Sequence, residues 1–322
     1  MSFNKDSLKI DSAAVSDELG RQIVRQVRGT MKKGGAVIGI SGGIDSSTVA
    51  ALCAVHLGPK RVLGVIMPEK DSAGESRDLA LSLADKFGFE TVTENITPGL
   101  DGMGCYERRD EAIKRLFPEY DPAHYGCKIT IPTNILEKDT FNFFTLSIED
   151  KDGHLQSKRM PPDVYLQVVA SSNLKQRLRM TTLYYHAERL NWAVVGTGNK
   201  DEHMQGFFVK YGDGGADLKP IAHLFKIQVY QIAEHLGVPD EIIKRTPTTD
   251  TYSSEVTQEE FFFGLDFYKM DMLWYAMENG ISPEEAAGVL DLSVEQVERG
   301  YANITRKIRA TEYLRLPPLE IS

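Results

Sequence analysis

The chain has 322 residues, 26% of them charged and 42% hydrophobic, which suits one large α/β domain with additions and argues against extensive disorder. A formal net charge of -9 excludes a general grip on nucleic-acid backbone, which depends on a basic surface. No run of about 18 apolar residues reads as a membrane span, and "MSFNKDSLKIDSAAV" carries no apolar core of signal-peptide length, so a cytoplasmic protein is expected. Apolar positions from Leu19 to Met31 predict a helix that "KKGG" ends, and "AVIGI" at 36–40 predicts a buried strand. A helix from Ser46 to Leu57 closes on Gly58-Pro59, and "RVLGVIM" at 61–67 supplies a second strand, so strand, helix and strand form a right-handed parallel crossover. "ESRDLALSLADKFG" and "ETVTENI" at 75–96 repeat the helix and strand.

Residues 98–172 break this rhythm. They hold an amphipathic "ERRDEAIKRLF" and then "TFNFFTLSIEDKDGHLQSKRM" at 140–160, whose alternation around Asp152-Gly153 predicts a hairpin within an inserted segment. A helix from Asn173 to Leu190, the strand "WAVVGTG" and the helix "KIQVYQIAEHLG" ending at Gly237 restore the alternation. Residues 256–322 read as helical, with an outline of helix-turn-helix type that is common in small bundles. The fold expected is α/β: a single doubly wound, Rossmann-like parallel sheet spanning 1–322, with the insert 98–172 and a helical C-terminal region 256–322. Cys53, Cys105 and Cys127 are odd in number and lack a C-x-x-C pair, which supports neither a disulfide framework nor a zinc knuckle.

The chemistry concentrates in "VIGISGGIDSS" at 37–47. A strand, a glycine-rich turn and a helix start aim several backbone N–H groups and the positive end of a helix dipole at one place, which suits a phosphate. Gly42 and Gly43 allow close backbone approach, Ser41, Ser46 and Ser47 add hydroxyls, and Asp45 is placed to hold a magnesium ion. The string is neither a Walker loop nor the dinucleotide G-x-G-x-x-G.

"SGGIDSS" resembles the S-G-G-x-D-S loop of ATP pyrophosphatases. With "NLKQRLRM" at 173–180, "GTGNKDEHMQGFFVKYGDGGADLKPI" at 196–221, "LFKIQVYQIAEHLGVP" at 224–239 and "PTTD" at 247–250, the chain resembles the ammonia-dependent NAD synthetases in order and spacing. The resemblance implies the adenine nucleotide alpha hydrolase-like fold and adenylation of the nicotinate carboxylate of deamido-NAD by ATP. Ammonia then displaces AMP. It implies Asp45 and Glu202 as magnesium ligands, Asp45, Glu202 and Lys226 as catalytic residues, and ATP contacts at Gly39, Ser41, Gly42, Gly43, Asp45, Ser46, Ser47, Thr197, Lys226 and Thr248. Arg177, Lys210 and Asp217 fall on positions that bind deamido-NAD. A homodimer, and ammonia from solution or from a separate glutaminase, are implied as well, with no nucleic acid or membrane as partner.

Two departures lie on the acceptor side: Phe262 stands in place of an acid in "EEFFFG", and Tyr313 and Leu314 replace a basic pair in "YLRLPP". Lys128, Lys158 and Arg159 are the insert's candidate replacements. Three alternatives stay open: an amide ligase acting on another carboxylate, a tRNA thiolation enzyme, disfavoured by the missing C-x-x-C and the acidic charge, and a nucleotide-binding module without turnover.

Overall fold

The computed structural model describes residues 3–72, 74–131, 135–137, 144–249, 252–254 and 256–321. The chain opens with α1 (Ser12–Val24), whose first turn is capped by the Asp11 carboxylate, and continues through a π-helical turn at Arg25–Thr30. The cap explains why this helix starts seven residues before the apolar pattern from Leu19 suggests.

β1 (Ala36–Gly39), β2 (Val62–Ile66) and β3 (Glu90–Thr93) alternate with α2 (Ile44–Leu57) and α3 (Gly74–Phe87). Further on, β7 (Ala193–Val194) completes a parallel sheet of order β3-β2-β1-β7, and one more parallel bridge joins Val195 to Leu218. The expected strand over 192–198 is therefore a short one. Both faces of the sheet are covered, as a parallel sheet requires. Ala36, Ile38, Val62 and Ile66 pack with α1 and α2, while Val37, Leu63, Val65 and Val194 face the opposite cluster. Alternate residues of one strand thus enter two cores.

That second face is roofed by α4 (Thr97–Gly102), α5 (Cys105–Lys114) and α6 (Pro162–Leu190). Helix α6 has 29 residues and begins eleven residues before the expected Asn173, because Pro162 occupies the first turn, where its missing N–H costs nothing. Its early residues Val164 and Val168 are buried with Ile129, Leu146 and Ile148 in a separate core, and its later ones pack on the main sheet.

Between α5 and α6 lies an antiparallel sheet of β4 (Tyr125–Thr130), β5 (Thr145–Asp150) and β6 (Leu155–Arg159). The hairpin turns at Asp152-Gly153, with Gly153 at φ +84°; residues 140–143 of the expected hairpin lie outside the described residues. Within 98–172, the sheet occupies only the middle, flanked by helices on either side.

α7 (Lys200–Gln205), α8 (Lys226–Leu236) and α9 (Asp240–Ile243) follow β7. The C-terminal region comprises α10 (Phe267–Glu278), α11 (Pro283–Leu290), α12 (Val294–Ala310) and α13 (Glu312–Arg315). Met272, Leu273, Trp274, Leu290, Val297 and Ile304 form its core with Phe225 from the start of α8. Among the described residues no helix is long and apolar enough to cross a membrane. The three cysteines are buried and free.

Candidate active site

The chain runs outward from β1 through β2 to β3 and returns to the other side of β1 as β7. The loops at the carboxyl ends of β1 and β7 therefore diverge, and a crevice opens between them, where open parallel sheets take their ligands. A cleft of about 1240 Å³ fills this place.

Its first wall is the turn from β1 into α2. Gly42 has φ +71°, and a Cβ there would lie 2.6 Å from the Ser76 carbonyl, so only glycine fits. The Ser46 hydroxyl lies 3.2 Å from that of Ser41 and donates to the Gly43 carbonyl at 3.1 Å, which closes the turn around the helix start. Because α2 begins at Ile44 instead of Ser46, Asp45 sits inside the first helical turn. Gly39, Ser41, Gly43, Asp45 and Ser46 line the cleft; Gly42 and Ser47 lie behind it, with Ser47 fully buried and its hydroxyl unpartnered.

The second wall is α7. Asn199 accepts from the Glu202 N–H at 3.0 Å, and the Asn199 N–H donates back to Glu202 Oε2 at 3.2 Å, a reciprocal cap. The Asn199 amide also donates to Asp45 Oδ1 at 2.9 Å, which joins the two predicted metal ligands through one buried side chain. "NKDE" spells that cap in the sequence, although its link to Asp45 spans 154 positions.

Lys226, fully buried at the start of α8, donates to Asp45 Oδ2 at 2.5 Å. Burial works against its charge, but Asp45 and Glu202 outweigh that and hold its pKa above the ordinary lysine value. The first amides of α8 are fixed too: Lys226 N–H donates to Asp201 and Ile227 N–H to Asp271 of α10, each at 2.9 Å. Burial raises both carboxyls, Asp201 to about 6. For Glu202, burial first and the nearby Asp45 second push the pKa up to about 8. Gln258 donates to its other oxygen at 3.4 Å. Two carboxylates sharing one lysine, with the second made reluctant to ionise, are short of positive charge, and their hard oxygen donors fit a divalent cation such as magnesium.

Thr197 and Thr248 also line the cleft, and Thr248 pairs with Thr257 in an isolated antiparallel bridge; Asp250 of "PTTD" lies outside the described residues. Arg77, Arg179, Lys219 and Arg245 add positive charge to the lining; Arg179 and Lys219 fall inside the stretches 173–180 and 196–221, but nothing local to any of the four marks it as facing the cleft.

The acceptor-side residues divide. Arg177, midway along α6, and Lys210 meet on the cleft wall, with Arg177 Nε 3.4 Å from the Lys210 carbonyl. Lys210 Nζ is turned toward the C-terminal segment and donates to the Tyr313 and Leu316 carbonyls at 3.0 and 2.8 Å. Asp217 is not part of the lining. Its carboxylate instead accepts from Val194 N–H at 2.8 Å and from the Tyr184 hydroxyl at 3.0 Å, at the end of β7. Tyr313, Leu314 and Phe262 do line the cleft, Phe262 stacked on Phe207 at 4.9 Å between ring centres. Lys128, Lys158 and Arg159 do not; Lys158 donates to the Leu116 carbonyl.

Sheet, switch point and polar floor define a nucleotide-binding α/β protein of the pyrophosphate-loop kind. Residues 17–115 and 128–318 match the family model described as NAD synthase. The chain belongs to that family. It is 50% identical over 316 residues, covering 98% of this chain and 94% of the relative, to the NH(3)-dependent NAD(+) synthetase of Rhizobium meliloti (strain 1021). With that of Thermotoga neapolitana it shares 36% identity over 76% of this chain and 78% of the relative. Among solved structures, an NMN synthetase from Francisella tularensis aligns with a TM-score of 0.64 at 22% identity, covering 97% of this chain and 99% of that one. An NH3-dependent NAD synthetase from Campylobacter jejuni aligns at 0.62 and 21%, covering 97% and 100%. At such identities these two speak for the fold alone.

Proposed function

We propose that the protein amidates deamido-NAD to NAD with ammonia, at the expense of ATP. The observation that carries this reading is the shared floor of Asp45, Asn199, Glu202 and Lys226 at the start of α2, beneath a cleft with room for two nucleotides. A nicotinate carboxylate oxygen attacks the α phosphorus of ATP, the bond to the bridging oxygen breaks, and pyrophosphate leaves with the electron pair. Ammonia then adds to the acyl carbon, AMP departs with the former carboxylate oxygen, and the nitrogen loses a proton to give the amide.

Negative charge accumulates on phosphate oxygens in the first step, and the start of α2 with Lys226 faces it with fixed positive charge that needs no reorganisation. Magnesium held by Asp45 and Glu202 supplies the remaining charge neutralisation when bound. Asn199 orients both carboxylates. Arg177 is the acceptor-side residue best placed to meet a phosphate of the dinucleotide, through the paired geometry of a guanidinium. We extend the proposal to a homodimer that exposed Leu166 and Tyr185 on α6 help to form, checked by sedimentation.

Purified protein with ATP, magnesium, ammonium and deamido-NAD is expected to yield NAD and AMP in equal amounts. AMP release from a different carboxylate, with none from deamido-NAD, would replace this reading by the second one, an amide ligase for another acceptor. Tyr313 and Leu314 on the cleft wall, where a basic pair is expected, are what favour that alternative.

A further inference from the structure

Helix α7 has only six residues, too few to persist without tertiary support, yet it carries Glu202. Its amino end is held by Asn199. Its carboxyl end is held by Arg315, which comes from the last short helix of the chain: Arg315 Nη1 donates to the Met204 carbonyl at 2.6 Å and lies 3.4 Å from that of His203. The same guanidinium reaches the end of α12, donating to the Ile308 carbonyl at 2.7 Å through Nη2 and to the Thr311 hydroxyl at 3.1 Å through Nη1. All of these partners are oxygens at or near the carboxyl ends of two helices, where dipoles present negative charge and carbonyls lack intrahelical donors. The two ends abut, since a Cβ on Gly206 would lie 2.3 Å from that of Thr311.

Arg315 directly follows the cleft-lining residues Tyr313 and Leu314, and Lys210 grips the carbonyls of Tyr313 and Leu316. One guanidinium therefore ties the acceptor wall to the helix that bears Glu202.

We infer that Arg315 is a positioning residue, which sets Glu202 through α7 and the Tyr313–Leu314 wall through α13 as one unit. The inference rests on the proposed reading of Glu202 as a metal-binding carboxylate. Lysine cannot substitute, because a single ammonium group lacks the planar fork that serves two helix ends at once.

The test compares Arg315→Ala and Arg315→Lys with the parent protein for half-saturating magnesium, the KM of deamido-NAD and the exchange rates of the Gln205, Gly206 and Phe207 amides. Both variants are expected to need roughly 10- to 100-fold more magnesium, the usual cost of losing a group that orients a metal ligand. The deamido-NAD KM should rise alongside, and the three amides should exchange faster. Millimolar guanidinium chloride is expected to restore Arg315→Ala in part. Magnesium demand and KM both within twofold of the parent would overturn the inference, as would a rise in KM alone. Should Arg315→Ala fail to fold, Arg315→Lys decides on the same measurements. A parent that makes no NAD refutes the proposed function, whereas amide exchange at 205–207 unchanged in the variants refutes this inference independently.

Discussion

The floor of the cleft and its rim are held by different kinds of bond. On the floor, Asp45, Asn199 and Lys226 join side chain to side chain, and Glu202 is fixed through the cap it shares with Asn199. On the rim, Lys210 gives its donors to main-chain carbonyls, and Arg315 does so too apart from one bond to the Thr311 hydroxyl. Changing a floor residue changes the network itself. The rim keeps its frame whatever side chains its backbone carries, so Tyr313 and Leu314 can occupy positions where a basic pair is expected without disturbing the fold beneath.

That contrast gives graded expectations. Asp45→Ala or Glu202→Ala removes a proposed ligand of the magnesium ion that offsets the negative charge developing on the phosphates, worth several kcal/mol of barrier, on the order of 10³-fold in kcat. Tyr313→Ala should instead act on the KM for deamido-NAD with kcat nearly unchanged. Near-normal turnover of Glu202→Ala in a steady-state assay would erase the distinction between floor and rim.

Lys226→Met leaves Asp45 without its cation in a buried setting, and breaking such a pair costs about 3–5 kcal/mol. Urea unfolding without ligands reads this, and an unchanged midpoint would mean that Asp45 is solvated well enough to stand alone.

The third expectation concerns pH. Glu202 has its folded pKa raised from 4.5 to about 8, so the folded protein binds more protons than the unfolded chain between those values, and the ligand-free fold loses stability as pH rises through that window. On the proposed role of Glu202 as a metal ligand, magnesium takes the ionised carboxylate and competes with that proton. Magnesium affinity should therefore climb with pH up to about 8, by on the order of tenfold per pH unit at most, and level off above. Titration calorimetry on the parent and Glu202→Gln checks it; a slope that persists in the glutamine variant would assign the proton elsewhere.

The smallest effect belongs to the rim. Leu314→Lys restores one charge at the acceptor wall, and a partly exposed contact contributes at most about 1 kcal/mol, a lowering of the deamido-NAD KM by up to about fivefold. An unchanged KM would show that the wall does not reach the substrate's charged groups.

The same division governs what the sequence disclosed. The floor was legible because its parts are local: Gly42 at positive φ, Asp45 in the first turn of α2, and the Asn-x-x-Glu cap of α7 are each written within a few residues. The start of Lys226's helix was legible from its periodicity. What stayed hidden was set by distant partners. Lys210 bends toward carbonyls 103 and 106 positions away, and Asp217 turns from the cleft toward the backbone of β7. The origin of α6 at Pro162 depends on a second core that the parallel-sheet rhythm does not announce.

Helix α6 also limits how this protein could be shortened. At a rise of 1.5 Å per residue its 29 residues form a rod of roughly 44 Å that belongs to two cores at once, with Arg177 between them on the cleft wall. Excising the antiparallel sheet would strip the cover from Val164 and Val168 and leave an apolar, unsupported overhang at the near end of that rod. A viable truncation would have to trim the first turns of α6 as well, or recolour them with polar residues. The small sheet is therefore a built-in counterweight to the rod that carries Arg177, and no detachable ornament.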